Sequence, residues 1–250
     1  MRHYIFLIIL FGVLSCKNKK QSIAAQEIVD KAIAMAGGEL YKTSDVQFTF
    51  RDMEYVLKQD PKGRILKRIQ PLDSLGGLVY DMKQGDRFVR TIEGETIALS
   101  DSLSNVYANS INSVFYFALL PYGLNDPAVN KEVIGEVTLK GHEYYKIKVT
   151  FDEQGGGEDF DDVYLYWVNK KTWKPDYLAY EFHVNGGGMR FREGYNERYV
   201  NGIRFVDYRN YKPTAESAIT ALDSLFEANA LELLSDIKLE HVAVSPGNYN

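Results

Sequence analysis

A single cysteine, Cys16, among 250 residues leaves no partner for a disulfide, so the fold must hold without one. Histidine is almost as scarce. Past the first few residues only His142, His183 and His241 occur, far apart, and none stands in the His-x-x-x-His or Glu-x-x-His spacing that grips zinc. No Gly-x-Ser-x-Gly elbow, P-loop or dinucleotide fingerprint is present, and no thiol nucleophile besides Cys16. Enzymatic chemistry therefore has little to stand on, and no cofactor is implied. Basic charge is in deficit: 29 Lys and Arg against 34 Asp and Glu give a net charge of -5, which argues against a nucleic-acid partner, because phosphate attraction needs a concentrated basic face. The long apolar run at residues 4–14 falls short of the roughly 20 residues that span a bilayer.

That run is nonetheless informative. Met1-Arg2-His3, the apolar stretch and then Ser15 form a charged segment, a hydrophobic segment and a small residue at a cleavage point, so residues 1–15 read as a signal peptide. Val13-Leu14-Ser15-Cys16 resembles the bacterial lipobox, although Leu14 is bulkier than the residue usual at its position. The resemblance implies that Cys16 becomes the lipidated first residue, that residues 16–22 are a tether, and that acyl chains make the membrane the partner, each buried CH₂ contributing about 0.8 kcal/mol. Lys17 after the cysteine is what outer-membrane lipoproteins commonly show. The expected location is thus exported, periplasmic and anchored to the outer membrane; the alternative is a secreted protein with an incidental cysteine.

Residues 23–250 read as one domain. Ala25, Ile28, Val29, Ala32 and Ile33 make one helical face before the stop at Gly37-Gly38. From Val46 the period changes to two, and turn residues such as Asp60-Pro61-Lys62-Gly63 and Asn201-Gly202 separate successive strands in a meander. The heavy use of tyrosine (18) and phenylalanine (13) suits strands. In the middle, Asn109, Ser110, Asn112 and Ser113 offer caps for a short helix at 114–120, or alternatively could orient a ligand at the mouth of a cavity; the helix is apolar on every side and must be buried or lie over an apolar cavity. A second amphipathic helix is expected at 214–225 and a closing strand at 237–244. The fold class is mainly β (α+β): one large curved antiparallel sheet of about 11 strands, a half-open barrel around about three helices.

One motif is written twice: Phe151-Asp-Glu-Gln-Gly-Gly-Gly-Glu-Asp-Phe160 and Phe182-His-Val-Asn-Gly-Gly-Gly-Met-Arg-Phe191. Three glycines interrupt a strand, so each copy reads as strand, loop, strand. Counting strand directions puts both loops on one rim, about 10 Å apart. Their charges are opposite. Asp159, Asp161 and Asp162 face Arg190 and Arg192 across it, which suggests a rim clasp of carboxylates and guanidinium forks. The alternatives are capture of an anionic head group by the two arginines and glycine N–H groups, or calcium held by Asp159, Asp161 and Asp162, although the spacing of a dedicated calcium loop is absent.

Three stretches carry a wider resemblance: residues 109–127 (Asn-Ser-Ile-Asn-Ser-Val-Phe-Tyr-Phe-Ala-Leu-Leu-Pro-Tyr-Gly-Leu-Asn-Asp-Pro), 149–157 and 176–188 with the segments that follow to Tyr211. They are similar to an uncharacterised lipoprotein family of Gram-negative bacteria, which has no established activity to carry over. The order of leader, helix, meander and inserted helices resembles the LolA/LolB/LppX-type half-barrel, which implies a curved sheet able to enclose acyl chains. On that reading Phe48, Phe50, Phe115, Tyr145, Tyr166, Trp167 and Tyr180, with Arg190 and Arg192, are candidates to line a site for an apolar or amphipathic, lipid-like ligand. Aromatics at period two are also ordinary core, and the alternative is a structural or interaction module of the envelope whose protein partner the residues do not name.

Overall fold

The computed structural model describes residues 23–72, 76–156, 160–183 and 186–247. The expected signal peptide, Cys16 and the tether lie outside the described residues, as does Asp159.

Two antiparallel sheets of seven strands make up the domain, and neither closes on itself. The first is built from β1 (Ser44–Phe50), β2 (Met53–Lys58), β3 (Ile65–Pro71), β4 (Leu78–Gln84), β5 (Arg87–Ile92) and β6 (Glu95–Ile97), in chain order, with β14 (Glu240–Pro246) added beside β1. The second runs in chain order through β7 (Val129–Leu139), β8 (His142–Phe151), β9 (Val163–Asn169), β10 (Pro175–Phe182), β11 (Gly188–Val200), β12 (Ile203–Pro213) and β13 (Leu231–Ile237). Nearly every pairing is a hairpin between consecutive strands, as alternating patterns punctuated by Gly, Asn and Asp dictate. The exception is β14, which returns from the second meander to pair with β1, Val46 opposite Val244. Segments from early and late in the described residues are thereby tied into one sheet.

Among the described residues four α-helices accompany the sheets: α1 (Ala25–Ala36), α2 (Leu40–Thr43), α3 (Asp101–Ala118) and α4 (Leu222–Glu227). The period-3.6 face read in α1 is the buried one, since Ile28, Val29 and Ala32 have no exposure. They pack with Tyr166, Val168, Leu178 and Tyr208 on one face of the second sheet. On its other face Leu165, Trp167, Tyr177 and Phe191 meet Leu222 and Phe226 of α4. Strand β9 shows the consequence directly: Leu165 and Trp167 point one way, Tyr166 and Val168 the other, and all four are buried. A strand covered on both faces reads as a continuous apolar run. The first sheet is covered on one face only, by Phe115 and Ile111 of α3 over Phe48, Tyr55 and Leu57, while Leu78 and Tyr80 are exposed.

Three expectations need correction. The single sheet of about 11 strands is two sheets holding fourteen strands among the described residues. No strand was expected over β13, whose Leu233 and Leu234 are both exposed, so no alternation of burial announced it. The helix expected at 114–120 is the last turns of α3, which starts ten residues or more upstream. Its cap is Ser100, whose Oγ accepts from the Leu103 amide. Ser113, expected as a cap, instead donates to the Asn109 carbonyl within the helix. The upstream half carries exposed Leu103 and Val106, so its apolar pattern does not point to a core. The helix expected at 214–225 is only a 3₁₀ turn at Ile219–Ala221 leading into α4, because Ala218 is extended and residues before it carry the chain off β12.

Candidate functional site

Helix α3 is the element that makes a site, because it stands between the sheets and touches both. Towards the first sheet, Phe115 sets its ring edge-on to Phe48 and Tyr55, with centroids 5.5 and 5.9 Å away. Arg68 of β3, held by Asp81 at 2.7 Å, reaches Ser110 Oγ at 3.0 Å, and Arg90 lies 3.6 Å over the Tyr107 ring. Towards the second sheet, Tyr116 and Tyr166 share a hydroxyl hydrogen bond of 2.8 Å, and burial pushes both phenols above their ordinary range. Phe117 leans on Tyr164 and Tyr180 at 6.3 and 5.6 Å. The helix is thus pinned by aromatic and ionic contacts on opposite sides.

A cleft opens on each flank. The first, of about 200 Å³, lies between Val114, Phe117 and Ala118 of α3 and Arg192, Val206 and Tyr208 of β11 and β12. Ile237 and Leu239, leading from β13 to β14, and Phe50 with Arg51 complete it. Ala118, Arg192, Val206, Tyr208 and Leu239 are buried at its back, whereas Arg51 and Ser113 are exposed at its mouth. The second cleft, of about 320 Å³, is lined by Leu57, Leu66, Phe115 and Leu119 but rimmed by Lys62, Arg64, Lys83 and Asp126. Desolvation raises the Asp126 carboxyl even though Arg64 and Lys131 pull it down. The apolar cleft is the better receptor for hydrocarbon, because its lining leaves water few hydrogen bonds to keep.

Four buried cations occur among the described residues: Arg68, Lys146, Arg192 and Arg204. Arg68 is paired with Asp81, Lys146 with Asp223 at 2.6 Å, and Arg204 with Glu197 at 2.6 Å. Arg192 has no carboxylate within ion-pair distance among the described residues. Its Nη2 donates to the Tyr180 hydroxyl at 2.9 Å, its guanidinium lies 4.1 Å over Phe117, and its Nε is buried without a partner.

The structure divides the residues singled out in the sequence. Phe50 and Arg192 line the apolar cleft. Phe48 and Phe115 belong to the core between α3 and the first sheet, Phe115 also flooring the polar cleft. Tyr145, Tyr166 and Tyr180 lie in the core under α1, and Trp167 faces away from both clefts, donating to Asp223 at 3.0 Å. The two glycine loops do share one end of the second sheet, joining β8 to β9 and β10 to β11. Gly156 turns back on its own loop: a Cβ there would collide first with the Asp152 carbonyl oxygen and would stand 2.9 Å from Cβ of both Phe151 and Phe160. In the second copy the equivalent Gly187 has the Phe182 carbonyl oxygen 3.1 Å from its Cβ position, and the next residue, Gly188, abuts the Phe182 ring at 3.1 Å. In each copy a glycine thus packs closely against a flanking phenylalanine.

Arg190 stays at that rim, donating to the Met189 carbonyl and lying over Phe182. Neither it nor Arg192 forms an ion pair with Asp161 or Asp162; Asp161 is exposed and Asp162 buried. The lining residues not singled out in the sequence are Arg51, Val114, Phe117, Ala118, Val206, Tyr208, Ile237 and Leu239, whereas Ser113 was. The signal for the helical ones was the run apolar on every side.

Comparison with curated protein sequences gives no match. Among solved structures the chain is similar to a LolA superfamily protein from Nitrosomonas europaea, at 13% identity and a TM-score of 0.46, over 90% of this chain and 92% of that one. A DUF1329 family protein from Desulfovibrio piger is similar at 10% identity and a TM-score of 0.48, over 90% and 94%. Lipoprotein LppX of Mycobacterium tuberculosis is similar at 11% identity and a TM-score of 0.28, over 65% and 90%. With residues 2–239 matching its pattern, the chain belongs to a family of unknown function, DUF6503.

Proposed function

We propose that this protein is a non-enzymatic binding protein of the cell envelope, anchored through Cys16 to the outer membrane, whose two sheets form a half-barrel-like frame holding an apolar or amphipathic, lipid-like ligand. The observation that carries this reading is the apolar cleft between α3 and the β11–β12 hairpin, backed by buried Ala118, Val206, Tyr208 and Leu239. A hydrocarbon segment laid there gains about 25 cal/mol for each Å² of apolar surface withdrawn from water. At about 200 Å³ the space lies below the roughly 300–1,000 Å³ of drug-sized ligand sites, which suits one chain and excludes a bulky multi-chain lipid held whole.

The test is mass spectrometry of the organic extract of natively purified protein. Lipid at a fixed stoichiometry is expected, and a clean extract would sink the reading. The competing reading is an interaction module with a filled core, favoured by the ring-on-ring packing of Tyr164, Tyr166 and Tyr180, which the aromatic candidates were expected to leave open. Anchoring is tested separately: Cys16→Ala should move the protein from the membrane to the soluble fraction, and continued sedimentation with membranes contradicts it.

A further inference from the structure

We infer that Arg192 is the receptor for a carboxylate, so that the ligand class of the apolar cleft is a single-chain monocarboxylic acid whose head group enters first; this rests on the cleft being a ligand site.

Every other buried cation among the described residues has its carboxylate supplied by the chain. Arg192 is 8% exposed, yet it has only the Tyr180 hydroxyl and the faces of Phe117 and Tyr180. Ring faces attract a cation but take none of its N–H bonds, and Nε is left buried with no acceptor. A charge in that condition is stabilised strongly by an anion that accepts from it, and a guanidinium matches a carboxylate through two parallel bonds. The position of the residue directs the rest of the ligand. Arg192 stands at the back of a cleft whose other walls, Val114, Phe117, Ala118, Val206 and Leu239, offer no charge. A chain trailing from the carboxylate would therefore lie along hydrocarbon as it runs to the mouth.

The balance of charge selects among anions. One guanidinium neutralises one negative charge. A phosphate monoester carries about 1.5 to 2 charges near neutral pH, and its excess would sit among apolar walls. The second arginine of the cleft, Arg51, is exposed at the mouth and already lies 5.0 Å over Phe50, so it does not supply a second buried positive charge.

Calorimetric titration of the full chain with decanoate, decanol and decyl phosphate tests the assignment. Decanoate should bind at least tenfold more tightly than either of the others. In Arg192→Met that preference should vanish while decanol affinity is kept, and Arg192→Lys should retain part of it. Equal affinity for decanoate and decanol overturns the carboxylate assignment while leaving the apolar cleft intact. Tighter binding of decyl phosphate overturns the choice of anion. A preference that survives in Arg192→Met, shown to be folded by its thermal transition, removes Arg192 from the role. Failure of wild type to bind decanoate and decanol alike overturns the cleft reading itself, and this inference with it.

Discussion

The guanidinium of Arg192 lies 4.1 Å from the centre of the Phe117 ring, joining the second sheet to the helix that divides it from the first. Contacts of this kind contribute about 0.5–2 kcal/mol, more when desolvated, as here. A double-mutant cycle of Arg192→Met and Phe117→Leu should therefore return a coupling of about 1 kcal/mol in urea unfolding. Strict additivity would mean that the ring is packing and nothing else.

Gly156 holds the first glycine loop against its flanking phenylalanines. Gly156→Ala forces a backbone shift, because the Asp152 carbonyl oxygen lies in the way of the new Cβ and Cβ of Phe151 and of Phe160 stand 2.9 Å from it. A loss of about 1–3 kcal/mol is expected from such overpacking. Gly135→Ala is the control, since nothing stands within 4 Å of its Cβ position, and it should change stability by less than about 0.5 kcal/mol. Equal effects would show that the repeat of glycines and phenylalanines has no packing role.

Lys146, Asp223 and Trp167 tie α4 to the second sheet: Lys146 and Trp167 both donate to Asp223 Oδ2, at 2.6 and 3.0 Å. Asp223→Ala leaves a buried ammonium and an indole N–H without their acceptor, and should cost about 3–5 kcal/mol. Replacing both charged partners, Lys146→Met with Asp223→Leu, should cost less than the single change, because no charge is then stranded. A double variant less stable than Asp223→Ala would contradict this.

Asp176 gives stability a pH dependence of unusual sign. Burial raises its carboxyl, more than Arg204 and the hydrogen bonds from Asn169 and Tyr144 lower it. With the folded value above the unfolded one, folding favours the protonated form. The stability this group contributes is complete below the unfolded value and is lost as pH rises through the folded value. Asp176→Asn removes that loss. As pH rises above the ordinary carboxylate value the variant should therefore gain on wild type in chemical denaturation, and a difference constant with pH would refute the assignment.

How much of this was legible in the residues differs by element. The face of α1, the period-two segments and the turns around Asp60 and Asn201 announced themselves, because a buried face repeats at the period of its own backbone. Strand β13 did not, having Leu233 and Leu234 exposed in sequence, and neither did the upstream half of α3, whose surface is mixed. The cleft was half visible. The run from Val114 to Leu120 called for apolar surroundings on all sides, but Val206, Tyr208 and Leu239 come from far along the chain, in β12 and the link from β13 to β14, and no local pattern joins them.

By itself, then, the sequence determined the β-rich class, the succession of hairpins and the shared end of the two glycine loops, since each depends on neighbours along the chain. The loops on which those glycines sit looked like a clasp of opposite charges; Asp159 lies outside the described residues, and among those described Arg192 turns inward against Phe117 and Tyr180. Only the tertiary structure could decide that, and also that β14 returns to β1 so that one meander becomes two sheets with α3 between them. The pairing of distant strands and the orientation of a long side chain are settled by which surfaces exclude water together, a property of the assembled chain that no stretch of residues carries alone.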